Sequence, residues 1–200
     1  MPRVARKVYI GYPHHIVQRG NNKQRVFKDY KDRLFYLCQL RKYSWECDCK
    51  VHAYCLMPNH IHLLLVPSQQ ESLAKIMQKL NLSYTQYINR KYNRSGRLWE
   101  SRFFSSQIDK ESYLWSVCRY IEQNPLRAGI TSKVIEYRWS SAKINCGLLE
   151  SGFVEPIWKN YLDSNEYRLV LTEPLSRSRL IEIRTLSSDF RKRKNRQKSY

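Results

Sequence analysis

The fold of this chain is decided by one stretch, Met57-Pro58-Asn59-His60-Ile61-His62-Leu63-Leu64-Leu65-Val66. Its second half is apolar, and Pro58-Asn59 breaks the chain in front of it, which is typical of a turn that leads into a buried strand. Successive side chains of a strand face opposite ways, so His60 and His62 share a face about 7 Å apart while Ile61 points into the core. Two imidazoles so placed can close on one metal ion.

The residues around this stretch extend it into a sheet with helices. Residues 50–57 predict a strand that pairs with residues 60–66 as a hairpin, and residues 12–18 predict an earlier strand. Apolar residues recur at intervals of three and four in two long segments, which predicts amphipathic helices over residues 26–45 and 72–92. A fourth strand over residues 98–108 and a third helix over residues 109–123 follow, and Pro125 ends that helix.

The order of these elements predicts the fold class. Strand, helix, strand, strand, helix, strand is the ferredoxin-like α+β arrangement, one antiparallel sheet with helices on one face. The third helix and a basic C-terminal tail are appended to it. We expect a catalytic domain over residues 1–145 and a C-terminal extension over residues 146–200, in which residues 178–190 could form a short helix.

The charge of the chain predicts a polyanionic partner. Its 200 residues hold 36 Lys and Arg against 17 Asp and Glu, a net charge of +19. The charge is concentrated in residues 1–33 and 177–200, each with nine basic and two acidic residues. Such segments commonly lie along phosphate backbones, so nucleic acid is the expected partner.

Compartment and cysteine chemistry follow from what the chain lacks. No apolar segment follows the basic start and no run is long enough to span a membrane, so we expect a cytoplasmic protein, held at the nucleoid when it binds DNA. The six cysteines are then expected to be reduced thiols. Cys47, Cys49, His52 and Cys55 form a weak alternative metal cluster, because their spacing does not match that of structural zinc sites.

The third helix strengthens the metal hypothesis at His60 and His62. Tyr120 and Asn124 are four residues apart in Arg119-Tyr120-Ile121-Glu122-Gln123-Asn124-Pro125, so they lie on one helix face. That face offers a nucleophile beside an oxygen ligand. Whether His14 or His15, which point to opposite faces of the first strand, lines the same site stays open.

Several separate stretches of the chain occur in the order typical of one family. They are Gly11-Tyr12-Pro13-His14-His15, Gln18-Arg19-Gly20-Asn21, Tyr54-Cys55-Leu56-Met57-Pro58-Asn59-His60-Ile61-His62-Leu63, Leu98-Trp99-Glu100-Ser101-Arg102-Phe103, Arg119 to Gly129, and Trp139-Ser140-Ser141. In these stretches the chain resembles the REP-associated tyrosine transposases, relatives of the single-strand insertion-sequence transposases within the HUH superfamily. The resemblance covers residues 1–145 and is looser beyond them.

The resemblance implies an HUH endonuclease fold and a role for each site residue. His60, His62 and Asn124 correspond to the ligands of Mg²⁺ or Mn²⁺, and Tyr120 corresponds to the nucleophile. The implied reaction is attack of Tyr120 on a phosphate of single-stranded DNA, which leaves a 5′-phosphotyrosine link and a free 3′-hydroxyl. The chain would then be a site-specific endonuclease and strand transferase.

The implied substrate is a palindromic repeat that folds as a hairpin and is cleaved in its single-stranded part. Basic residues are expected to contact phosphates, and an asparagine is expected to read base edges. The candidates are Arg6, Lys7, Arg19, Asn21, Lys23, Arg25, Arg102 and Arg127. Tyr9, Tyr12 and Trp99 are candidates for stacking on unpaired bases.

Five alternatives stay open at this point. Tyr113, two helical turns before Tyr120, is a rival nucleophile, and Gln123 could compete with Asn124, although it points about 100° away on the helix. The chain could also be a hairpin-binding protein without turnover, or an HUH replication initiator or relaxase. It could act as a monomer or as a homodimer.

Overall fold

The computed structural model of the protein describes residues 7–109, 111–156 and 163–196. Its sheet has four strands in the order β2-β3-β1-β4, and every neighbouring pair is antiparallel. This is the split arrangement of a ferredoxin-like sheet, with the first and third strands in the centre, and it confirms the predicted fold class. The strands are β1 His14–Arg19, β2 Cys49–Met57, β3 His60–Pro67 and β4 Phe104–Gln107.

The predicted hairpin is present, and its second strand, β3, also pairs with β1. Met57 pairs with His60 across the two-residue turn, and His60 in turn pairs with Arg19 of β1 on its other side. An irregularity between Val51 and Ala53 shifts the pairing by one residue. Beyond this bulge, Tyr54 and Leu56 face the first hydrophobic core while Ala53 and Cys55 face the second.

Two long helices cover one face of the sheet. Helix α1 spans Tyr30–Glu46 and α2 spans Ser72–Lys91, and both pack on the first core. The sequence pattern placed the start of α1 four residues too early. It begins after Asp29, because the Asp29 carboxylate accepts from the Asp32 backbone N–H at 3.0 Å while the Asp32 carboxylate accepts from the Asp29 N–H at 3.1 Å.

The appended third helix lies on the opposite face of the sheet. Helix α3 spans Glu111–Glu122, and a short helix α4, Asn124–Arg127, follows it with Pro125 in its first turn, where a proline needs no N–H partner. Helix α3 packs on the second core, together with α5, Ala142–Asn145, and two C-terminal helices, α6 Ser164–Thr172 and α7 Arg177–Arg196.

Strand β4 is much shorter than the sequence pattern predicted. It covers Phe104–Gln107, whereas residues 98–102 fold onto the turn that follows β1. There the Asn21 N–H donates to the Leu98 carbonyl at 2.8 Å, and the Glu100 N–H donates to the Arg19 carbonyl at 2.9 Å. Leu98 and Trp99 are buried by this contact rather than by a sheet ladder, so their apolar pattern misled the strand prediction.

Residues beyond 145, which the sequence suggested as an extension, contribute buried side chains to the second core. A helix within the tail was predicted over residues 178–190, and α7 is longer, with Ile183 fully buried beside residues of α3. Tyr167 of α6 and Cys146 are buried in the same core. The division at residues 145 and 146 stays a prediction. No described helix is long and apolar enough to cross a membrane.

Candidate active site

The histidine pair lies at the start of β3, the second strand of the hairpin. His60 and His62 share a face of β3, as the strand alternation predicts, and their ring centroids are 4.9 Å apart with the planes nearly perpendicular. His62 is buried, whereas His60 is partly exposed. The pair therefore opens toward solvent from one side only, at the end of the sheet where β1 ends and β3 begins.

Hydrogen bonds fix the orientation of both rings. His60 Nδ1 lies 2.6 Å from the Asn59 side-chain oxygen, which can only accept, so this nitrogen carries the proton and Nε2 keeps its lone pair. His62 Nδ1 lies 3.0 Å from His15 Nε2. In both rings the Nδ1 atom is engaged by a neighbour, which is how proteins orient a histidine whose Nε2 binds a metal.

Burial keeps the histidines neutral. Together with the smaller effect of the Arg19 charge, it lowers the pKa of His60 to about 4. The pKa of His62 is held well below its ordinary value by burial and by the neighbouring His60 and His15. Burial lowers the pKa of His15 to about 3. Imidazole binds a metal only in its neutral form, so the chemical state of the pair suits a ligand role.

The structure resolves which histidine of β1 joins the site. The His15 ring stacks against His62 with centroids 5.2 Å apart, and it is 1% exposed. His14 points to the opposite face, where its ring bonds Ser105 and the backbone of Tyr9. The alternation of β1 separated the two histidines, but only the pairing register between Val17 and His62 places His15 beside the pair.

Tyr120 packs directly on the histidine cluster. Its ring centroid lies 5.6 Å from that of His62 and 5.9 Å from that of His15, in edge contacts with both. The Arg127 guanidinium lies 4.4 Å over the Tyr120 ring and also donates to the Tyr120 carbonyl oxygen. Burial lowers the pKa of Arg127 to about 10, so it stays charged at neutral pH.

The rival nucleophile Tyr113 lies elsewhere. It is buried near the start of α3, where the Arg179 guanidinium of α7 lies 5.6 Å over its ring. Burial, together with the nearby Glu182 of α7, raises the pKa of Tyr113 to about 12. Tyr113 therefore packs under the C-terminal helix, while Tyr120 packs on the histidines.

The two candidate amide ligands have different neighbours. Gln123 is buried, and its side-chain amide donates to the carbonyl oxygens of Leu171 and Glu173, both at 2.7 Å, so it ties α3 to the C-terminal segment. The Asn124 amide donates to the Tyr120 carbonyl at 2.7 Å and to that of Ile121 at 3.3 Å. Both bonds use the side-chain nitrogen of Asn124, which is not a metal ligand. They leave the side-chain oxygen of Asn124 available as a ligand.

The described residues offer no larger cluster of the usual metal ligands. Within residues 7–109, 111–156 and 163–196, no group of three or more His, Cys, Asp and Glu side chains could hold a metal ion. The alternative cysteine cluster is divided by the sheet, because Cys47 and Cys49 lie in the first core and Cys55 lies in the second. The remaining combination is the two histidines with an amide oxygen.

Several of the expected DNA-contacting residues gather at the same end of the sheet. The turn after β1 and the loop of residues 97–102 are bonded together, since the Gln24 side chain donates to the Leu98 carbonyl at 3.0 Å and the Arg97 carbonyl at 3.4 Å. Arg97, which sequence reasoning missed, thereby joins four predicted residues. We call this set the basic rim: Arg19, Lys23, Arg25, Arg97 and Arg102.

Other expected contacts are placed differently. Asn21 is exposed on the same turn as the basic rim. The segment that carries Lys7, Tyr9 and Tyr12 meets the far end of β3, where the Gly11 N–H donates to the Pro67 carbonyl at 2.9 Å. Trp99 is buried and its ring packs near Tyr84, so its faces serve the first core. Arg6 lies outside the described residues.

Comparisons with known proteins find transposases. The family model described as "Transposase IS200 like" matches residues 9–124. A protein of Haemophilus influenzae named as a REP-associated tyrosine transposase is 28% identical over 99 residues, which are 44% of this chain and 56% of that protein. The match thus spans little more than half the length of this curated relative.

Solved structures give the same fold. A REP-associated tyrosine transposase bound to a REP hairpin aligns with a TM-score of 0.63 at 14% identity, over 78% of this chain and 99% of that chain. At this identity the likeness establishes the shared fold alone. A transposase structure from Deinococcus radiodurans aligns over 62% of this chain and 97% of its own at 18% identity, with a TM-score of 0.42 on which no argument rests.

Proposed function

The chain belongs to the IS200-like transposase family, and from this premise we propose that it cleaves and rejoins single-stranded DNA beside palindromic repeat hairpins. The nucleophile is Tyr120. The observation that carries the proposal is the contact of the Tyr120 ring with the rings of His62 and His15, at 5.6 and 5.9 Å between centroids. This contact joins the helix and strand motifs, which lie 58 positions apart in the sequence, into one site.

The covalent step balances without an external energy source. The Tyr120 oxygen attacks phosphorus and forms a P–O bond, while the bond from phosphorus to the 3′ oxygen breaks. The phenol loses its proton to solvent and the departing 3′ oxygen takes one up, which leaves a 5′-phosphotyrosine and a 3′-hydroxyl. A 3′-hydroxyl can later attack the phosphotyrosine and release Tyr120, so cleavage and strand joining are forward and reverse forms of one step.

Arg127 supplies charge where the reaction develops it. A phenol has an ordinary pKa near 10, so it is a poor nucleophile at neutral pH without a nearby positive charge. The Arg127 guanidinium lies over the Tyr120 ring and is held there by its bond to the Tyr120 carbonyl and a 3.3 Å bond to the Gln123 side-chain oxygen. It can stabilise the phenolate and attract the scissile phosphate.

The donor set of the site fits a divalent ion. Two neutral imidazoles with engaged Nδ1 atoms leave two Nε2 lone pairs, and His60, His62 and the Asn124 oxygen would hold the ion. When bound, Mg²⁺ or Mn²⁺ withdraws charge from the scissile phosphate. Nitrogen ligands favour Mn²⁺ in affinity, whereas oxygen-rich sites suit Mg²⁺.

The basic rim supports the hairpin part of the proposal. Its members lie at the same end of the molecule as the histidine pair. The Glu100 N–H, just before β4, donates to the Arg19 carbonyl, and Arg19 of β1 is the strand partner of His60 in β3. Phosphate contacts position a duplex without reading its sequence. We place the hairpin stem on the basic rim and its single-stranded flank across Tyr120.

A denaturing gel tests the reaction. End-labelled single-stranded palindrome DNA is incubated with the full chain and Mn²⁺ or Mg²⁺, and a protein-linked fragment is expected for wild type and for Tyr113→Phe but not for Tyr120→Phe. A Tyr120→Phe protein that still forms the adduct would contradict the assignment. Binding of the hairpin by wild type without any adduct would favour a binding protein without turnover.

A further inference from the structure

A cluster of aromatic rings and guanidinium groups lies near the active site and has no role in the proposed reaction. The ring of Tyr30, the first residue of α1, lies 4.9 Å from that of Trp139. The Arg138 guanidinium lies 4.8 Å over the Tyr30 ring and 5.8 Å over the Trp139 ring, and it donates to the Tyr30 hydroxyl at 2.9 Å. Arg33 adds a guanidinium 5.5 Å over Trp139. We call these four residues the aromatic platform.

Backbone bonds hold the aromatic platform at the catalytic end of the sheet. The Leu56 N–H donates to the Trp139 carbonyl at 2.9 Å, so the chain that carries Arg138 and Trp139 lies along the outer edge of β2. Leu56 is next to Met57, the partner of His60. Neighbouring strands are about 4.8 Å apart, so the segment that carries Arg138 and Trp139, two spacings from β3, lies roughly 10 Å from the histidine strand.

The other half of the platform is anchored to the same turn. The Val26 and Phe27 N–H groups donate to the Pro58 carbonyl at 2.8 and 3.2 Å, in the turn that immediately precedes β3. Three residues later, Tyr30 is 45% exposed. Helix α1 therefore begins at the same end of the sheet as the active site, on the opposite face from α3, with an aromatic ring that the core does not enclose.

The chemistry of the platform suits an unpaired base. Exposed aromatic rings stack on bases of single-stranded nucleic acid, and arginine adds cation–π attraction and a charge for the adjacent phosphate. Every base has a π face, so such contacts tolerate any sequence. A ring whose hydroxyl is held by an arginine is also restricted in its motion, which lowers the entropy cost of stacking.

We propose that the aromatic platform stacks an unpaired base of the DNA strand that crosses Tyr120. The inference rests on the proposed function and extends it. The basic rim lies on the β1 and β4 side of the histidine pair, and the aromatic platform lies on the β2 side, toward the first-core face of the sheet. The strand would therefore turn round the hairpin end of the sheet between Tyr120, on the second-core face, and the platform. A strand whose stem rests on the basic rim reaches the platform after it passes the nucleophile, so the two surfaces hold the DNA on both sides of the scissile phosphate.

Equilibrium binding of two probes to the full chain tests the inference. One probe is a DNA hairpin with single-stranded flanks of mixed sequence that carry 2-aminopurine, and the other is the same hairpin without flanks. Tyr30→Ala should weaken binding of the flanked probe about tenfold or more, a loss typical of one stacked base. It should leave the bare hairpin unaffected and abolish the quenching of one 2-aminopurine position. Tyr30→Phe keeps the ring and loses only its bond to Arg138, so it should keep the quenching and most of the affinity.

Trp45→Ala is the matched control. Trp45 is 60% exposed and lies under the Arg41 guanidinium at 4.9 Å, but it stands at the opposite end of α1. This variant should bind both probes as wild type does. The inference is overturned if Tyr30→Ala binds the flanked probe normally, if it weakens both probes equally, or if wild type gains nothing from the flanks. Failure of the proposed function is read separately, as absence of the Tyr120 adduct.

Discussion

At the scale of single residues, the bond between His15 and His62 orients one of the two rings of the proposed metal site. His15 Nε2 can accept from His62 Nδ1, which holds the His62 proton on Nδ1 and leaves Nε2 available to the proposed metal. The sequence marked His14 and His15 equally. Their different roles depend on which face of β1 meets α3, and that choice is made by packing.

We predict that His15→Ala weakens Mn²⁺ binding by the full chain about tenfold to a hundredfold, as loss of a partner that orients a ligand commonly does. His15→Gln should restore much of the affinity, because its side-chain oxygen can accept the same bond. Titration of Mn²⁺ followed by electron paramagnetic resonance measures it.

His14→Ala is the control for this experiment, since His14 is equally buried but faces away from the site. It should leave Mn²⁺ affinity unchanged even where it lowers thermal stability. Equal Mn²⁺ affinity of His15→Ala and wild type would show that His15 serves packing alone.

At the scale of elements, α3 is joined to the C-terminal segments through one buried carboxylate. Glu122 is fully buried and accepts hydrogen bonds from Ser141, from Asn145 at 2.7 Å and from Tyr167 at 2.8 Å. Burial raises its pKa to about 7, although the three hydrogen bonds oppose this shift. The C-terminal end of the helix that carries Tyr120 is thus anchored by residues that lie 19 to 45 positions away in the sequence.

We predict that Glu122 makes the protein less stable as the pH rises from about 4.5 to about 7. In that interval the folded state keeps the Glu122 proton and the unfolded state has lost it, so its contribution to the unfolding free energy is fully present below pH 4.5 and is lost by pH 7. The loss is on the order of 3 kcal/mol. Glu122→Gln should not show it, because its amide does not titrate.

Urea unfolding of wild type and Glu122→Gln between pH 4.5 and pH 8 measures the difference in their unfolding free energies. The contributions of the other titrating groups cancel in this difference. The unfolding free energy of wild type should fall relative to that of Glu122→Gln across this interval. Glu150→Gln, an exposed control, should follow the wild-type curve. Parallel curves for wild type and Glu122→Gln would contradict a raised pKa for Glu122.

Helix and strand boundaries show where local pattern is sufficient. The start of α2 at Ser72 agrees with its apolar periodicity, and the hairpin follows from the alternation around Pro58 and Asn59. The start of α1 depends on the carboxylates of Asp29 and Asp32, which the apolar pattern does not register. Leu98 and Trp99 are buried because they cover the turn after β1, a long-range contact that has no period.

At the scale of the whole molecule, the net charge of +19 is distributed unevenly with respect to the active site. The basic rim gathers five cations at the catalytic end, while other cations of the chain are paired with carboxylates. Lys42, for example, lies 3.8 Å from Glu46 in the last turn of α1, at the opposite end of that helix from Tyr30. Position relative to the active site, rather than total charge, should decide which cations contact DNA.

We predict that replacing Lys23 or Arg97 with Gln lowers the salt dependence of binding to flanked hairpin DNA. Each lost phosphate contact should reduce the slope of log affinity against log salt by about 0.7 to 0.9. Lys42→Gln removes the same charge and should leave the slope unchanged. Binding isotherms at several salt concentrations measure it, and equal slopes for all three variants would mean that only total charge matters.

The sequence by itself determined the parts of this protein that depend on neighbours along the chain. The shared face of His60 and His62 and the hairpin follow from a period of two residues, and a period of 3.6 residues predicts a common face for Tyr120 and Asn124. Tertiary structure alone decided that α3 crosses the histidine face, that His15 joins the site and that Arg127 covers Tyr120. The aromatic platform is of the second kind, because Tyr30 and Arg138 meet across 108 positions. Such contacts arise when whole elements pack, and local periodicity carries no information about which elements meet.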